Sequence, residues 1–255
     1  MRLPSLLKLL CAFVFITSCA TKKEILYFQD SGNIPEEVVR QMTQIQVNDI
    51  LNITVKTIDP EAAAPYNRTD AASGGNSNNT TMLKLQGYLV RPDGTITFPI
   101  LGDFSVLNMT TKEAQEYIIK LLVDGGHLKK PTVIVRIVNA KFTVLGEVKK
   151  PGTYEYDEET LTLPQALGLA GDLSINGVRE DIRIIREVDG VRTVAQVDMT
   201  KTDWFTSPYY NIKQNDVIVV NQNGPAVKRA GYIPSIGGLM GAVSFIITLI
   251  LLIQS

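Results

Sequence analysis

Cysteine is nearly absent from this chain of 255 residues, because its only two, Cys11 and Cys19, lie within the first 19 positions. The rest of the sequence therefore cannot form a disulfide framework or a cysteine-based metal site. Histidine is equally scarce: His127 is the only one, and its position after two glycines predicts an exposed loop residue. A serine–histidine–aspartate triad would need that imidazole as its base, and nothing near it suggests such a role.

An excess of one charge is also missing. The chain has 25 lysines and arginines against 26 aspartates and glutamates, which gives a formal net charge of -1. Nucleic acid is not expected as a partner, because it would favour a basic face. An anionic membrane surface would not attract the chain either. The hydrophobic content of 45% and charged content of 20% are typical of a globular protein.

Catalytic motifs are missing as well, and no glycine-rich phosphate loop is present. The acidic run Asp157-Glu158-Glu159 could supply paired carboxylates for glycoside cleavage, but a run beside a turn is usually a solvated surface. Trp204, Tyr209 and Tyr210 could stack on sugar rings, although core packing or a subunit contact is favoured. The sequence predicts no enzyme, no cofactor and no metal.

The N-terminus has the pattern of a secretory signal over residues 1–18. Arg2 and Lys8 supply positive charge. The apolar run from Leu6 to Ile16 is too short to span a membrane as a stable helix.

The signal ends in Ile16-Thr17-Ser18-Cys19, which resembles the lipobox of bacterial lipoproteins. That resemblance implies that the Cys19 thiol receives a diacylglycerol and becomes the first mature residue, while Cys11 is discarded. Ala20 follows in place of the aspartate that is associated with inner-membrane retention, which favours the outer membrane. Residues 19–40 then look like a lipidated, extended tether in the periplasm.

The first folded unit is expected over residues 41–139, as a mixture of strands and one helix. The segment 49–58, which follows Asn48, has the composition of a strand. Residues 61–81 are alanine-rich and then rich in serine, glycine and asparagine, which predicts a mobile loop because such a stretch cannot bury apolar surface.

The middle of this unit has clear turn and helix signals. Pro92-Asp93-Gly94 predicts the turn of a hairpin between residues 88–91 and 95–98. A helix is expected to begin at Thr110 or the next residue, because Thr110 and Glu113 fit a capping box.

A second unit is expected over residues 140–222. Pro151-Gly152 predicts a type II turn between two strands, and Thr162 with Gln165 predicts the cap of a short helix that Gly171 closes. Further along, Asp189-Gly190 predicts a hairpin, and Asn215-Asp216 precedes a last strand.

Two groups of residues resemble known domains. Residues 44–139 resemble the polysaccharide export domain in Asn48-Asp49-Ile50-Leu51 and in the run Tyr88-x-Val90-x-Pro92-Asp93-Gly94-Thr95-Ile96-x-Phe98-Pro99-x-Leu101-Gly102. Residues 140–222 resemble the β-grasp domain called SLBB in Val144-x-Gly146-x-Val148-x-x-Pro151-Gly152-x-Tyr154 and in Leu163-x-x-Ala166-Leu167-x-x-Ala170-Gly171. The pair is typical of Wza-type outer-membrane polysaccharide export proteins. The chain departs from the best-known members in having room for one SLBB copy and in having Asn48 where glycine is more usual.

The resemblance implies an α+β fold and a subunit of a ring-shaped channel that exports capsular or exopolysaccharide. The implied partners are identical copies in a ring of about eight subunits, the polysaccharide chain, membrane lipid and an inner-membrane polysaccharide co-polymerase. The sequence motifs that carry the resemblance are Asp49, Pro92, Asp93, Gly94, Gly102, Gly146, Pro151, Gly152 and Gly171.

The C-terminal segment 235–255, which follows a linker over 223–234, is predicted to be a transmembrane helix. Its 18 residues from Ile236 to Ile253 contain no charge and would span roughly 27 Å. No basic residue follows the segment, which favours a C-terminus at the cell exterior. One face has a stripe of small residues suited to close helix packing, namely Gly237, Gly241, Ser244 and Thr248.

The same sequence is compatible with a second function. The chain could be a membrane-tethered periplasmic module that binds a glycan or a protein without forming a channel. The C-terminal segment discriminates between the two, because a binding module that is already anchored by lipid needs no second membrane element.

Overall fold

The computed structural model describes residues 26–30, 42–68, 80–188 and 190–224, together with 227, 240–241, 244–245 and 248 near the C-terminus. Two hydrophobic cores follow one another along the chain, the first between Ile45 and Ile137 and the second between Ala140 and Val220. Both cores combine helices with sheets, so the predicted α+β class is confirmed.

The first unit forms around a three-stranded antiparallel sheet in the order β2-β1-β5 and a separate β3–β4 hairpin. Its elements are β1 (Ile50–Lys56), α1 (Pro60–Ala63), a 3₁₀ turn (Ala64–Tyr66), α2 (Thr80–Gln86), β2 (Tyr88–Leu89), β3 (Thr95–Phe98), β4 (Gly102–Ser105), α3 (Thr111–Asp124) and β5 (Thr132–Ile137). Strand β1 alternates buried Leu51, Ile53 and Val55 with more exposed residues, the pattern of a strand with one face on the core.

Helix α3 supplies the other side of this core. The capping box predicted at Thr110 and Glu113 is confirmed, because each side chain accepts the backbone N–H of the other. Ala114, Ile118 and Leu122, at intervals of four residues, face the core and are fully buried.

Two expectations for this unit are wrong in part. The mobile loop predicted over 61–81 contains helical structure at both ends, in α1 with its 3₁₀ turn and in α2, while 69–79 lie outside the described residues. Ala63 and Tyr66 are buried there, so the alanine-rich part does bury apolar surface. The predicted hairpin between 88–91 and 95–98 retains its turn, where the Arg91 N–H donates to the Thr95 carbonyl at 2.9 Å. Beyond the turn, however, β2 pairs with β1 and β3 with β4.

The second unit is a five-stranded sheet in the order β10-β9-β12-β6-β7 with a small β11–β8 pair beside it. Its elements are β6 (Lys141–Gly146), β7 (Gly152–Glu155), β8 (Leu161–Thr162), α4 (Leu163–Leu169), β9 (Gly177–Val188), β10 (Val191–Val197), a 3₁₀ turn (Asp203–Thr206), β11 (Asn211–Ile212) and β12 (Val217–Gln222). Strands β12 and β6 run parallel, and the other pairs are antiparallel. The predicted capping box at Thr162 and Gln165 and the β9–β10 hairpin are confirmed.

The type II turn predicted at Pro151-Gly152 is wrong. Such a turn needs a positive φ at its glycine, whereas Gly152 lies in strand β7 opposite Val144 and is not among the residues with positive φ. Gly146 is the glycine that the fold requires here, since its φ is 87° and an added Cβ would lie 2.0 Å from the Val220 carbonyl oxygen. The close approach of β6 to β12 therefore depends on that glycine.

Part of the predicted tether is folded onto the second unit. Phe28 and Gln29 donate backbone hydrogen bonds to the carbonyls of Met199 and Thr200, at 3.2 and 2.6 Å. The Tyr27 hydroxyl donates to Asp172 at 2.7 Å. Residues 26–30 thus dock on this unit instead of standing free.

Several predictions lie outside the described residues, among them the signal over 1–18, Cys19 and Gly237. Gly241, Ser244 and Thr248 are helical, and the Thr248 hydroxyl donates to the Ser244 carbonyl at 2.8 Å. Within the described positions, the structure contains no helix whose length and apolar character would suffice to cross a membrane.

Candidate functional site at the domain junction

Two turns with the same design lie where the units meet. Asn48-Asp49 precedes β1 and Asn215-Asp216 precedes β12, and both asparagines have positive φ, 69° and 62°. In each turn the aspartate accepts the backbone N–H three residues earlier, Gln46 at 2.9 Å and Lys213 at 2.8 Å. Asparagine tolerates the left-handed conformation better than most residues, which explains why it can replace the more usual glycine at position 48.

The two turns are joined directly by a side-chain hydrogen bond. The Gln214 amide donates to the Asp49 carboxylate across the junction, and both side chains are buried, at 4% and 0% exposure. Burial raises the pKa of Asp49 from 3.8 to about 6, although the hydrogen bonds from Gln46 and Gln214 act in the opposite direction. Of the predicted site residues, Asp49 makes the side-chain contact across this junction.

Asp216 has a different partner. The guanidinium of Arg186 donates to both of its oxygens, at 2.9 and 2.6 Å, and both side chains are buried. The same guanidinium donates to the carbonyls of Pro208 and Asn211 and lies 4.8 Å from the ring centre of Tyr209. This ion pair stabilises the second unit internally.

Further contacts lie around Asp49. Asn139, at the end of the first unit between β5 and β6, accepts the Ile50 N–H at 2.8 Å and donates to the Asn48 carbonyl at 2.9 Å, so it holds the start of the connection to β6 on the first unit. At another point of the junction, Lys84 of α2 pairs with Glu155 of β7 at 2.6 Å. The junction therefore combines buried polar contacts with a more exposed ion pair.

The larger cleft of the junction has a volume of about 810 Å³ and lies between the two turns and the β9–β10 hairpin. Its polar lining is rich in side-chain amides, from Gln44, Gln46, Asn48, Asn108 and Asn215. Its apolar lining comes from Val47, Leu107, Ile185 and Val217. Arg192 in the lining is paired with Glu187 at 2.9 Å, whereas Lys213 makes no ion pair with any described residue.

A smaller cleft of about 320 Å³ lies on another part of the junction and contains the acidic run 157–159. The three acidic residues are exposed, as predicted for a solvated surface. Tyr156 beside them is buried, and its hydroxyl has no hydrogen-bond partner within the described part of the chain. Burial raises the pKa of Tyr156, and the charges of Asp216 and Asp49 add to that effect.

The other predicted motif residues shape the backbone away from the junction. Asp93 accepts the Thr95 N–H at 3.0 Å within the Pro92-Asp93-Gly94 turn. Positive φ values occur at Gly94, Gly102, Gly146 and Gly171. Pro151 and Gly152 lead into β7.

The remaining conspicuous residues have structural roles. Trp204 is buried among aromatic rings of Phe28, Phe205 and Tyr210, which confirms core packing. His127 is exposed, as predicted. No group of three or more potential metal ligands occurs in the portion that the structure describes.

Sequence reasoning missed the residues that complete the junction, above all Gln214, Tyr156, Asn108 and Lys213. One signal was present: the spacing Gln-x-Asn-Asp at 46–49 has a counterpart of similar form, Lys-Gln-Asn-Asp, at 213–216. Each aspartate precedes a strand, so two matched turns were predictable, but their contact was not.

Comparison with known proteins gives two matches in the same order as the two units. The family described as polysaccharide biosynthesis/export protein matches residues 37–138, and the SLBB domain matches residues 141–196. The EPS I polysaccharide export outer membrane protein EpsA of Ralstonia solanacearum is 31% identical over 148 residues, 56% of this chain and 38% of the relative.

Two further relatives have similar names. The capsule polysaccharide export protein BexD of Haemophilus influenzae is 29% identical over 130 residues, 49% of this chain and 31% of the relative. The exopolysaccharide production protein ExoF of Rhizobium meliloti is 34% identical over 88 residues, 34% of this chain and 21% of the relative. The chain thus matches less than two fifths of the length of these curated relatives.

Proposed function

We infer the function of this chain from the family to which it belongs, the Wza-type outer-membrane polysaccharide export proteins. We propose that it is an outer-membrane lipoprotein subunit of a channel that exports exopolysaccharide or capsular polysaccharide. The observation that carries this proposal is the succession of an export domain and an SLBB domain, shared with relatives named as export proteins. The family is one of export proteins and not of enzymes.

The junction supports a structural role for both units. The buried contact between Gln214 and Asp49 and the ion pair between Lys84 and Glu155 join one unit to the other. Subunits of a closed ring must repeat one internal angle, because an error in each subunit accumulates around the ring. A junction with specific buried contacts meets that requirement better than a flexible linker does.

The membrane attachment is part of the proposal. Cys19 after the signal over 1–18 would carry the lipid, and the folded units would lie in the periplasm. The uncharged stretch of 18 residues from Ile236 to Ile253 would cross the outer membrane, with the small residues Gly237, Gly241, Ser244 and Thr248 at its helix contacts. The C-terminus would then lie at the cell exterior.

The partners follow from this arrangement. We propose a homo-oligomeric ring of about eight subunits, which receives the polysaccharide from an inner-membrane co-polymerase. Analytical ultracentrifugation of the detergent-extracted full chain should show one large homo-oligomer. A strict monomer at micromolar concentration would favour the tethered binding module over the channel.

The proposed function is tested by deletion of the gene and complementation in its own host. The deletion strain should lose surface polysaccharide, seen by staining of intact cells, and the wild-type gene should restore it. Complementation with Cys19→Ala should restore less, because the protein would lose its lipid anchor. Unchanged surface polysaccharide in the deletion strain would contradict the proposal.

A further inference from the structure

The larger cleft is lined by side-chain amides, by Lys213 and by apolar side chains. We propose that this cleft is a binding subsite for an acidic sugar residue, in which the Lys213 ammonium pairs with the sugar carboxylate and the amides of Asn48, Asn108 and Asn215 bind its hydroxyl groups. The inference rests on the proposed export function for the source of the sugar, but the site itself is argued from its residues.

The amides in the cleft are available for a ligand. The side chains of Gln44, Gln46, Asn48, Asn108 and Asn215 make no hydrogen bond with any residue that the structure describes. A primary amide both donates and accepts, as a sugar hydroxyl does, so the two groups match in either orientation. Five such amides around one cleft of about 810 Å³ can serve a ring with several hydroxyls.

Backbone geometry alone does not explain the three asparagines. Asn48, Asn108 and Asn215 each have positive φ, between 62° and 69°, and come from three different turns. Glycine would satisfy that conformation at least as well, and elsewhere in this chain glycine takes such positions, for example Gly94 and Gly102. At these three positions the backbone requires only a residue that tolerates positive φ. Each asparagine also adds a side-chain amide to the lining of the cleft.

Charge selects an acidic sugar over a neutral one. Arg192 is neutralised by Glu187, while Lys213 is half-buried and its ammonium makes no ion pair in the described structure. Burial and the nearby Arg186 both lower the pKa of Lys213, and the charge of Asp216 counteracts this only in part; a bound carboxylate would offset the remaining effect.

The apolar lining completes the match. Val47, Leu107, Ile185 and Val217 are half-buried on the cleft walls. A pyranose ring has apolar C–H faces and a polar rim, so it needs apolar contacts as well as hydrogen bonds. A cleft lined only by amides and charges would favour an inorganic anion instead.

The test is direct binding to the full chain in detergent, measured by calorimetry with tetragalacturonic acid and with its methyl ester, which has the same skeleton without the charge. The acid should bind with a Kd between about 0.1 and 10 mM. Lys213→Gln should raise this Kd about tenfold, Lys213→Arg should restore most of the affinity, and the ester should bind about as weakly to wild type as the acid does to Lys213→Gln.

The amides are tested by the triple variant Asn48→Gly, Asn108→Gly, Asn215→Gly, which keeps the left-handed turns and removes the amides. The triple variant should raise the Kd for the acid at least tenfold. Ile100→Gly is the matched control, because Ile100 also has positive φ, 66°, but lies outside the cleft and is exposed. Its Kd should equal that of wild type. Circular dichroism checks that each variant is folded, because the first unit contains no tryptophan. If the triple variant is unfolded, the Lys213 variants alone test the proposal.

No binding of the acid up to about 20 mM, equal affinity for acid and ester, or an unchanged Kd in Lys213→Gln would each overturn the proposal. These failures are separate from failure of the export function, because they concern binding in solution. A chain whose deletion abolishes surface polysaccharide, but which binds no acid, would remain an export protein without this subsite.

Discussion

The two asparagine–aspartate turns have the same backbone design but different partners. Asp216 is neutralised by the guanidinium of Arg186 inside one unit, whereas Asp49 is held by amide donors, one of which, Gln214, belongs to the other unit. A local sequence pattern therefore fixes the shape of each turn. The residues that reach the carboxylate from elsewhere decide whether the turn stabilises a domain or joins two domains.

The largest effect is expected from removing the charge that Arg186 neutralises. Asp216→Asn leaves a guanidinium buried without its counter-charge and should destabilise the second unit by about 3–5 kcal/mol. Urea unfolding followed by the fluorescence of Trp204, the only tryptophan and part of this unit's core, measures the effect. A loss below about 1 kcal/mol would mean that this pair behaves as an exposed salt bridge.

Asp49, unlike Asp216, has no positive partner among the described residues and should make stability depend on pH. Its pKa is raised from 3.8 to about 6 in the folded chain, so folding favours the protonated carboxyl. Its contribution to stability is complete below about pH 4 and is lost as the pH rises through about 6, which corresponds to about 2–3 kcal/mol.

Asp49→Asn isolates this effect, because the variant cannot titrate at position 49. The unfolding free energy of wild type minus that of Asp49→Asn should decrease between about pH 4 and pH 7. A difference that is flat, or that increases with pH, would show that the carboxyl is not held in the protonated form by the fold. Unfolding should be followed by circular dichroism, since the first unit contains no tryptophan.

A smaller effect is expected from loosening the contact between the turns. Gln214→Ala removes the donor to Asp49 and should cost about 1–3 kcal/mol, because a buried acceptor loses its partner. Differential scanning calorimetry should then resolve two transitions in place of one. The control is Lys84→Ala, which removes the more exposed ion pair with Glu155 and should leave a single transition.

The smallest effect concerns the backbone of both turns. Asn48→Gly and Asn215→Gly should each change stability by less than about 1 kcal/mol, whereas Asn48→Ala and Asn215→Ala should cost about 1–2 kcal/mol, since alanine is strained at positive φ. Melting temperatures of the four variants measure this. Equal losses for glycine and alanine would mean that the side-chain amide, and not the backbone, stabilises the turn.

Local features of this fold were predictable because their causes are local. The capping boxes at Thr110 and Thr162 each need only a partner three residues away, and both are present. The Asp189-Gly190 hairpin likewise depends on its own two residues. The α+β class and the order of the two units followed from such patterns together with the family resemblance.

The junction was not predictable for the opposite reason. Gln214 and Asp49 are 165 residues apart, and a glutamine carries no signal of its distant partner. The helical turns over 60–66 had a local signal that the alanine-rich composition obscured, since Asp59 caps the helix through the Glu61 N–H and Pro60 follows the cap. The Pro151-Gly152 turn was misread since the dipeptide also fits the start of a strand.

Depletion of this chain should change where the polysaccharide accumulates. Cells should be fractionated, and polysaccharide quantified on the surface and in the periplasm, before and after depletion. If the chain exports polysaccharide, surface polymer falls while periplasmic polymer rises or persists, because synthesis continues upstream of a missing exit. Surface polymer that stays constant, or a loss of polymer from both fractions with no periplasmic accumulation at any time, would contradict the export function.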